Sequence, residues 1–464
     1  MTSTSETTTE PAPANRMFGA LAVHNFRLYV SANLLSQVGT WMQRIGQDWL
    51  VLQLSHNSGV ALGLTTALQF APTLVFSFYG GLLADRYDKR KLLMITQAVM
   101  GVLALGLGLL VASDAVELWH VYLLALLVGV AGSLDTPARQ SFVSEMVGPE
   151  HLANAVSLNS TAFNAARLIG PAVAGAVIAA SGGDTSFAFL VNAGSFACTI
   201  AALLGMRRSE LHPSKRVARS RGQLGQALSY TRRHPDLMLA MVLAFTVGTF
   251  GFNSQITIAL MAKGVFGLGA GAFGLLSTCY AVGSLSGALL STRRSRRPLQ
   301  RFLVVSAVVF SVLLIISGLM SNYYAFAALC VPTGAAALVF SVACNSFVQL
   351  GVEPQMRGRI LALYFMAFMG GTPLGAPAIG WLSEKFGPPW GLIGGGLVCL
   401  VVTLTAGGVL LRGHRVRLEL HVVPPRMQLH VAATQPEVVA LRDNLQEEAD
   451  GEVPGEQLAA DRTR

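Results

Sequence analysis

Long apolar segments separated by short polar gaps run along most of this chain. A helix needs about 20 mostly apolar residues to cross the hydrocarbon core of a bilayer. Six such segments lie in the first part of the chain, at residues 27–54, 60–84, 91–113, 117–145, 150–181 and 185–206. Six more lie at residues 236–263, 268–292, 299–320, 322–352, 355–383 and 388–412. The pattern therefore predicts twelve transmembrane helices, here called spans 1 to 12, with a basic linker at 207–235 between the two groups of six.

Lysine and arginine residues in the gaps predict the orientation, because positive charge concentrates on the cytoplasmic side of a membrane. With a cytoplasmic N-terminus, the gaps after spans 2, 6, 8 and 10 and the flanks of both tails hold most basic residues. The outer gaps then hold only Lys263 and Lys385. We expect a disordered cytoplasmic tail at 1–24 rather than a cleaved signal, a cytoplasmic linker at 207–235, and a cytoplasmic C-terminal tail at 413–464. Alternating residues within 415–431 allow a hairpin in that last tail, although its composition favours disorder.

Composition agrees with a membrane protein. Of the 464 residues, 52% are hydrophobic and only 12% are charged, against about 25% charged in soluble domains. The net charge of +9 could indicate nucleic-acid binding, but the basic residues lie in short gaps rather than on one soluble domain. We therefore expect a lipid bilayer around this chain and no nucleic-acid partner.

The sequence carries no motif for a metal or a cofactor. Its five cysteines lie singly in apolar segments, without a C-x-x-C pair. The run Gly269-x-Gly271-x-x-Gly274 fits a dinucleotide fingerprint, but no soluble strand precedes it and no acidic residue follows about 20 residues later. We also find no phosphate-binding lysine motif and no converging catalytic groups in the spans, which leaves a membrane enzyme as a remote alternative. Energy for any transport would come from a gradient.

The two groups of six spans resemble each other in sequence. The Ser-Phe-Val run at 141–143 recurs as 346–348, and at the same offset Gly170 and Gly175 match Gly375 and Gly380. Such matches favour duplication, with one half at 25–206 and the other at 236–412. Parallel repeats of this kind are typical of carriers that open alternately to either side of the membrane, with a substrate site near the midplane.

The gap between spans 2 and 3 carries the motif Gly81-x-Leu83-Ala84-Asp85-Arg86-x-x-Lys89-Arg90. It resembles the major facilitator superfamily signature G-x-L-a-D-r-x-G-r-k, with Asp88 in place of the usual glycine. Segments 136–139, 153–155 and 167–171 narrow the resemblance to the bacterial branch that includes the enterobactin exporter and macrolide or tetracycline efflux pumps. The resemblance covers about residues 25–412. It implies an all-α membrane protein with twelve transmembrane helices in two pseudo-symmetric six-helix halves, the major facilitator fold.

The resemblance also implies a gating role for this motif. In the family, the aspartate faces the start of a helix in the other half, here near 355–359, and a basic residue pairs with an acid at the cytoplasmic end of span 4. Lys89 or Arg90 would pair with that acid and hold the cytoplasmic side closed in the outward-facing state. The alternative is that these charges only follow the cytoplasmic preference of basic residues. The gating set carried over to this chain is Gly81, Asp85, Arg86, Lys89, Arg90 and Glu145.

Five ionisable residues lie within spans, namely Arg44, Asp48, Asp135, Arg139 and Arg167. Each costs about 2.5 to 3.5 kcal/mol at a helix centre on insertion scales, so we expect these side chains to pair or to face a water-filled cavity. Arg44 and Asp48 are four residues apart, as are Asp135 and Arg139, so each pair can close on one helix face. Either pair could be structural only, without a role in transport.

Exchange of a substrate for protons requires an acid that is protonated in one conformation and ionised in the other. Asp48 and Asp135 are the only acids deep in a span. Burial disfavours the ionised form of such an acid, whereas a neighbouring arginine favours it. A conformational change must therefore alter either the burial or the distance to the arginine. We predict Asp135, the deeper of the two, as the first candidate and Asp48 as the second.

Further polar residues could line a substrate cavity, and Arg139 and Arg167 belong with them. The others are Gln37, Trp41 and Gln47 on span 1, Asn159 and Asn164 on span 5, Asn253 on span 7, and Asn345 and Gln349 on span 10. Several of them can instead bond across helices, a use worth about 0.6 to 2 kcal/mol each.

Span 5 also carries Gly170, Pro171 and Gly175, which resemble the antiporter motif G-x-x-x-G-P-x-x-G-G with alanine in place of two glycines. Proline frees a backbone carbonyl and small residues allow close approach, so the segment is expected to bend or to pack tightly.

The sequence thus predicts a carrier that exports a hydrophobic small molecule, such as a drug or a siderophore, in exchange for protons. An uncoupled facilitator or an importer of a small metabolite is the alternative. We expect a monomer in a bacterial cell membrane, with both termini in the cytoplasm.

Overall fold

A computed structural model describes residues 18–212, 223–292, 298–413, 417–423 and 426–432. Within these ranges, the side chains of residues 77–85, 223–224, 292, 354 and 410–432 are not described. The chain divides into a large unit at residues 1–403 and a small unit at residues 404–464.

Six long helices form the first half of the large unit, after a single 3₁₀ turn at Gly19–Ala22. They are α1 (His24–Leu54), α2 (Gly59–Arg86), α3 (Lys89–Ala112), α4 (Leu118–Met146), α5 (Pro149–Ala180) and α6 (Ser186–Gly205). Proline at the first position of α5 suits a helix start, because its missing N–H would have no intrahelical partner there. These helices correspond to spans 1 to 6.

The second half contains more interruptions. After a 3₁₀ turn at Arg208–Glu210 and the linker helix α7 (Gln223–Arg233), span 7 consists of α8 (Pro235–Thr246), a π-helical turn at Val247–Gly251, α9 (Ser254–Leu260) and a second π-helical turn at Met261–Val265. The remaining helices are α10 (Ala270–Thr292), α11 (Gln300–Gly318), α12 (Tyr323–Leu350), α13 (Pro354–Gly370), α14 (Thr372–Phe386) and α15 (Pro389–Gly413). Gly371 separates α13 from α14, so the predicted span 11 is two helices.

Eleven helical stretches of the described chain are long and apolar enough to cross a membrane. The first helix, α1, occupies the predicted span 1 and has 31 residues, but it is not among the eleven. Arg44 and Asp48, together with three glutamines between residues 37 and 47, make this helix more polar than the others. The protein is therefore an all-helical, multi-pass membrane bundle apart from its C-terminal tail.

The small unit contains the end of α15 and a β-hairpin, formed by β1 (Arg417–Val423) and β2 (Arg426–Ala432). The two strands are antiparallel, with Arg417 opposite Ala432 and Val423 opposite Arg426. The expectation of disorder was thus wrong for these residues. The alternating residues of this segment had allowed a hairpin, and the two strands pair in antiparallel register.

A hydrophobic core in the first half joins α1, α4 and the end of α6. Phe26, Tyr29, Phe142 and Leu203 are almost fully buried in it. Tyr29 and Phe142 meet edge to face, with ring centroids 6.1 Å apart. This core lies at the end of the bundle where α2 meets α3, called the basic end below; the end where α1 meets α2 is called the opposite end.

At the opposite end, helices of the two halves contact each other at glycine residues. A Cβ atom built on Gly175 of α5 would lie 2.9 Å from the Cα atom of Gly274 on α10. One built on Gly59 of α2 would lie 3.2 Å from the carbonyl carbon of Gly380 on α14. A Cβ at Gly59 would also collide with the carbonyl oxygen of Gly380, so neither position has room for a side chain and backbone packs directly on backbone at these two contacts.

Glycines at matching positions make equivalent contacts in the two halves. A Cβ on Gly170 of α5 would lie 3.2 Å from the backbone nitrogen of Met42 in span 1. The matching Gly375 of span 11 packs against span 7, where a Cβ would lie 3.0 Å from Cγ2 of Thr249. Spans 5 and 11 therefore contact spans 1 and 7 in the same way, as two copies of one repeat would.

Candidate functional site

The buried carboxylate of Asp135 accepts four hydrogen bonds. Arg139, one turn further along α4, donates Nε and Nη2 to Oδ2 at 2.9 and 2.7 Å. Thr96 Oγ1 and Gln97 Nε2 of α3 each donate to Oδ1 at 2.8 Å. The ion pair predicted from the four-residue spacing is present, and α3 completes its hydrogen bonding. The four donors come from two helices, so the carboxylate joins α3 to α4.

The same network reaches α1 and α5. Arg139 donates Nη1 to Oδ1 of Asn33, and Asn33 donates Nδ2 to Oδ1 of Asn159 at 3.1 Å. Four helices of the first half, α1, α3, α4 and α5, are thereby connected through polar side chains. The network lies wholly within one half, so a movement of one half against the other leaves it intact.

Asp48 has a different environment. It is buried on α1, and its Oδ2 accepts a hydrogen bond of 2.6 Å from Nε2 of Gln255 on α9. The ion pair that the spacing predicted between Arg44 and Asp48 is not formed in the described part of the chain. Four-residue spacing permits a contact, but here the carboxylate bonds to an amide of the second half. Asp48 thus links the two halves.

Arg44 and Arg167 lie around one indole ring. The guanidinium carbon of Arg44 is 4.7 Å from the ring centroid of Trp41, and that of Arg167 on α5 is 5.7 Å from it. Arg44 also lies 5.7 Å from the ring centroid of Phe70, and Trp41 contacts Phe163 edge to face at 6.1 Å. The cluster brings two positive charges and three aromatic rings together where α1, α2 and α5 meet.

The loop motif begins on α2 and ends on α3. Gly81 and Asp85 lie on α2, but their side chains are outside the described residues, and Arg86 is exposed at the helix end. Lys89 forms a buried ion pair with Glu145 of α4. Of the two possible partners for that acid, the structure thus selects Lys89.

The neighbouring basic residue and the unusual aspartate of the motif have other roles. Arg90 donates hydrogen bonds of 2.6 and 3.0 Å to the carbonyl oxygens of Leu203 and Leu204, respectively. Both of these residues lie at the end of α6. Asp88 caps the start of α3, accepting bonds from the backbone N–H groups of Arg90 and Lys91 at 2.9 and 3.2 Å. Its φ angle is −59°, a value that needs no glycine, so aspartate is fully compatible with this turn.

The remaining sequence candidates are dispersed. On the first half, Gln47 is buried and Gln37 half-buried on α1, and Asn164 donates back to the carbonyl of Ser160 on its own helix at 2.8 Å. On the second half, Asn253 is buried beside α9 and donates to the Thr249 carbonyl at 2.7 Å, Asn345 is half-buried, and Gln349 is exposed on α12. No hydrogen bond joins any two of these described side chains.

In the proposed bending segment, α5 continues through Pro171 as one helix. Its glycines serve close packing, with Gly170 against α1 and Gly175 against α10. Pro171 itself is buried, and its carbonyl oxygen would lie 2.7 Å from a Cβ built on Gly274.

A further contact between the halves involves Glu384, at the end of α14. Its Oε2 accepts a bond of 2.5 Å from Oγ of Ser58 and one of 3.0 Å from the backbone N–H of Val60. An acid of the second half thus binds the start of α2, where unpaired N–H groups and the helix dipole favour negative charge. This contact lies at the opposite end, beside Gly59 and Gly380.

Sequence reasoning missed several of these residues. Asn33, Thr96 and Gln97 are isolated polar residues in apolar spans, and that isolation was an available signal, because polar side chains in lipid usually find a partner. Glu384 lies just beyond the predicted end of span 11. Only the fold shows which helix start it faces.

The fold and these intramembrane charges define a membrane transporter of the major facilitator type. Residues 16–441 match the family model described as a transmembrane secretion effector, and the chain belongs to this family of the major facilitator superfamily. The chain is similar to the staphyloferrin A transporter of Staphylococcus aureus, at 24% identity over 78% of this chain and 90% of that protein. It is also similar to the enterobactin exporter EntS of Escherichia coli, at 24% identity over 87% of this chain and 94% of that protein.

Solved structures agree on the fold. A bacterial homologue of the human lysosomal transporter Spinster, in an inward-facing and unoccupied conformation, superposes with a TM-score of 0.66 at 15% identity. The match covers 83% of this chain and 95% of that one. The nucleoside transporter NupG gives a TM-score of 0.63 at 14% identity, over 83% of this chain and 99% of NupG. Because the chain belongs to a family of membrane transporters, the protein is a transporter and not an enzyme.

Proposed function

We propose that this protein exports a small molecule in exchange for protons, by alternating access in a bacterial cell membrane. The cross-half hydrogen bond between the buried Asp48 and Gln255 carries this proposal, because it makes a buried acid sensitive to the separation of the halves. The enterobactin exporter among the relatives supports outward transport of a drug-like or siderophore-like molecule. A proton and one small molecule would then occupy the protein in alternation.

The orientation follows from charge. We place the basic end, both termini and the linker in the cytoplasm, because Lys and Arg prefer that side. Close glycine contacts between the halves then lie at the outer face, which corresponds to a carrier closed outside and open towards the cytoplasm. Glu384 contributes to that closure through its bonds to Ser58 and Val60.

The loop motif would act in the reverse state. When the cytoplasmic side closes, Asp85 would approach the start of α13 near residues 355–359, where helix N–H groups attract a carboxylate. Arg86 would lie at the same contact, and the Lys89–Glu145 pair would fix the end of α3 against α4. The motif would thus stabilise the outward-facing state, as Glu384 stabilises the state described here.

We place the exchangeable proton on Asp48 rather than on Asp135. Protonation of Asp135 would leave Arg139 as a buried charge without its ion pair, a loss of about 3–5 kcal/mol when one partner is removed. Asp48 accepts one amide hydrogen bond, and that bond comes from the half that moves. Separation of α1 from α9 would remove Gln255 and admit water, so the two conformations would favour different protonation states.

Inverted membrane vesicles with an imposed pH gradient test this assignment. We expect Asp48→Asn to lose gradient-driven uptake of a fluorescent drug while it keeps substrate exchange in the absence of a gradient. A purified sample should release protons on substrate binding in the wild type and not in this variant. Asp135→Asn is the matched control within the same half, and its release of protons should persist in whatever fraction folds.

Two results would contradict the proposal. Gradient-driven uptake by Asp48→Asn at the wild-type rate would remove Asp48 from coupling. Wild-type uptake that continues after the gradient has collapsed would favour the alternative, an uncoupled facilitator.

A further inference from the structure

Arg44 and Arg167 form no ion pair within the described part of the chain, although Asp48 attracts Arg44 electrostatically. Arg44 and Arg167 both lie beside the ring of Trp41, at 4.7 and 5.7 Å from its centroid. The buried Nε of Arg44 has no hydrogen-bond partner among the described residues. Neither guanidinium forms an ion pair with a described acid, and Asp48, the acid on the same face of α1, bonds to Gln255 instead.

Three other basic side chains of the first half do have hydrogen-bonding or ionic partners. Arg139 is bound to a carboxylate, Lys89 to another, and Arg90 to two carbonyl oxygens at a helix end. Charges within a membrane protein are costly and usually pair with each other or serve a ligand. Two neighbouring arginines on α1 and α5 increase that cost by mutual repulsion, so their arrangement favours an anion between them.

We propose that Arg44 and Arg167 bind an anionic group of the transported molecule, with the indole of Trp41 as its aromatic platform. This inference rests on the proposed transport function and names the substrate class: a small organic anion that carries a carboxylate or a similar acidic group. Guanidinium groups suit this task because their planar donors bind both oxygens of a carboxylate.

The surroundings define the rest of the ligand. Phe70 lies beside Arg44, and Phe163 contacts Trp41, so apolar ring surface surrounds the charged pair. Trp41 is held in place by Gly170, where a side chain would collide with it. The site therefore fits an anion with an apolar or aromatic body rather than a fully hydrated ion.

Matched dyes of opposite charge test the proposal. The full-length protein in lipid nanodiscs is titrated into carboxyfluorescein, which is anionic, and into tetramethylrhodamine methyl ester, which is cationic and has a related ring system. Fluorescence anisotropy gives each affinity. We expect the wild type to bind the anionic dye more tightly, and Arg44→Gln or Arg167→Gln to weaken that binding by about tenfold or more, as for the loss of a charged hydrogen bond.

Three further variants separate charge from folding. Arg44→Lys keeps the charge and should retain more affinity than Arg44→Gln. Arg27→Gln removes an exposed arginine of α1 near the basic end and should leave both affinities within twofold. Gly170→Ala should displace Trp41 and weaken binding of both dyes.

Each outcome decides the proposal. Three results would overturn it. The wild type could bind the cationic dye more tightly, it could show no detectable binding of the anionic dye, or both glutamine variants could keep the wild-type affinity for the anionic dye. Proteoliposomes loaded with the same dyes test the proposed function separately: selective binding of the anion without movement of either dye across the membrane would support the site while contradicting transport.

Discussion

Glu384 offers a direct test of how the two halves are held together at the opposite end of the bundle. Replacement of Glu384 by alanine removes the acceptor for both Ser58 Oγ and the N–H of Val60, at 2.5 and 3.0 Å. Both bonds connect the second half to the first. The variant should therefore favour the conformation in which these halves separate.

The magnitude follows from the exposure of the carboxylate. A hydrogen bond to a charged group contributes about 1.5–3 kcal/mol when it is buried. Glu384 is exposed, so solvent screening lowers each bond towards the ~0.2–1 kcal/mol of surface pairs. Two such bonds give about 1 kcal/mol, which corresponds to about a fivefold shift in the equilibrium between the two conformations.

Spin labels at Ala112 and Ser321 can measure this shift, because both positions are exposed at the opposite end and lie in different halves. The five native cysteines are first replaced by serine or alanine. Distance distributions from electron spin resonance should then show a larger share of long separations in Glu384→Ala. Glu117→Ala is the control, since Glu117 caps α4 and accepts a bond from Trp119 within its own half.

An unchanged distribution in Glu384→Ala would refute the reasoning, because it would show that these bonds do not discriminate between conformations. An equal shift in Glu117→Ala would refute it as well. In that case, loss of any acid at this end would produce the effect, without a specific contact to α2.

Further predictions concern the two buried ion pairs and the glycine contacts. Lys89→Met leaves the buried carboxylate of Glu145 without this ion pair, so we expect the free energy of unfolding to fall by about 3–5 kcal/mol, with a lower thermal midpoint in detergent. The double variant Lys89→Met, Glu145→Leu should recover most of that loss, and failure to recover would contradict a simple pair. Asp135→Asn should lower the midpoint similarly through the loss of its pair with Arg139, whereas an unchanged midpoint would show that the network is not structural. Gly274→Val should separate α5 from α10 and reduce transport by about tenfold at normal membrane abundance, and normal transport would contradict the close contact.

The sequence was most informative about the spans. Twenty or more apolar residues in succession are a strong signal, and each helix begins and ends close to the predicted position. The interruptions of span 7 and the division of span 11 at Gly371 were not predictable, because hydropathy does not distinguish an α-helix from a π-helical turn or a short break.

The site was only partly predictable. Spacing by four residues indicated both intrahelical pairs, yet only Asp135 and Arg139 form one. Asp48 instead bonds to Gln255, far away in sequence and on the other half, and no local pattern could indicate that choice. The motif resemblance located the Lys89–Glu145 region, but contact geometry was needed to select Lys89 over its neighbour.

The contacts of Gly59 with Gly380 and of Gly175 with Gly274 carry no side chains at all. Helices that interdigitate must reorder their rotamers each time they part, and that reordering changes conformational entropy. Surfaces of glycine backbone can separate and meet again without such a change, because they carry no side-chain rotamers. At these two glycine contacts, a separation of the halves would therefore require no side chain to change its rotamer.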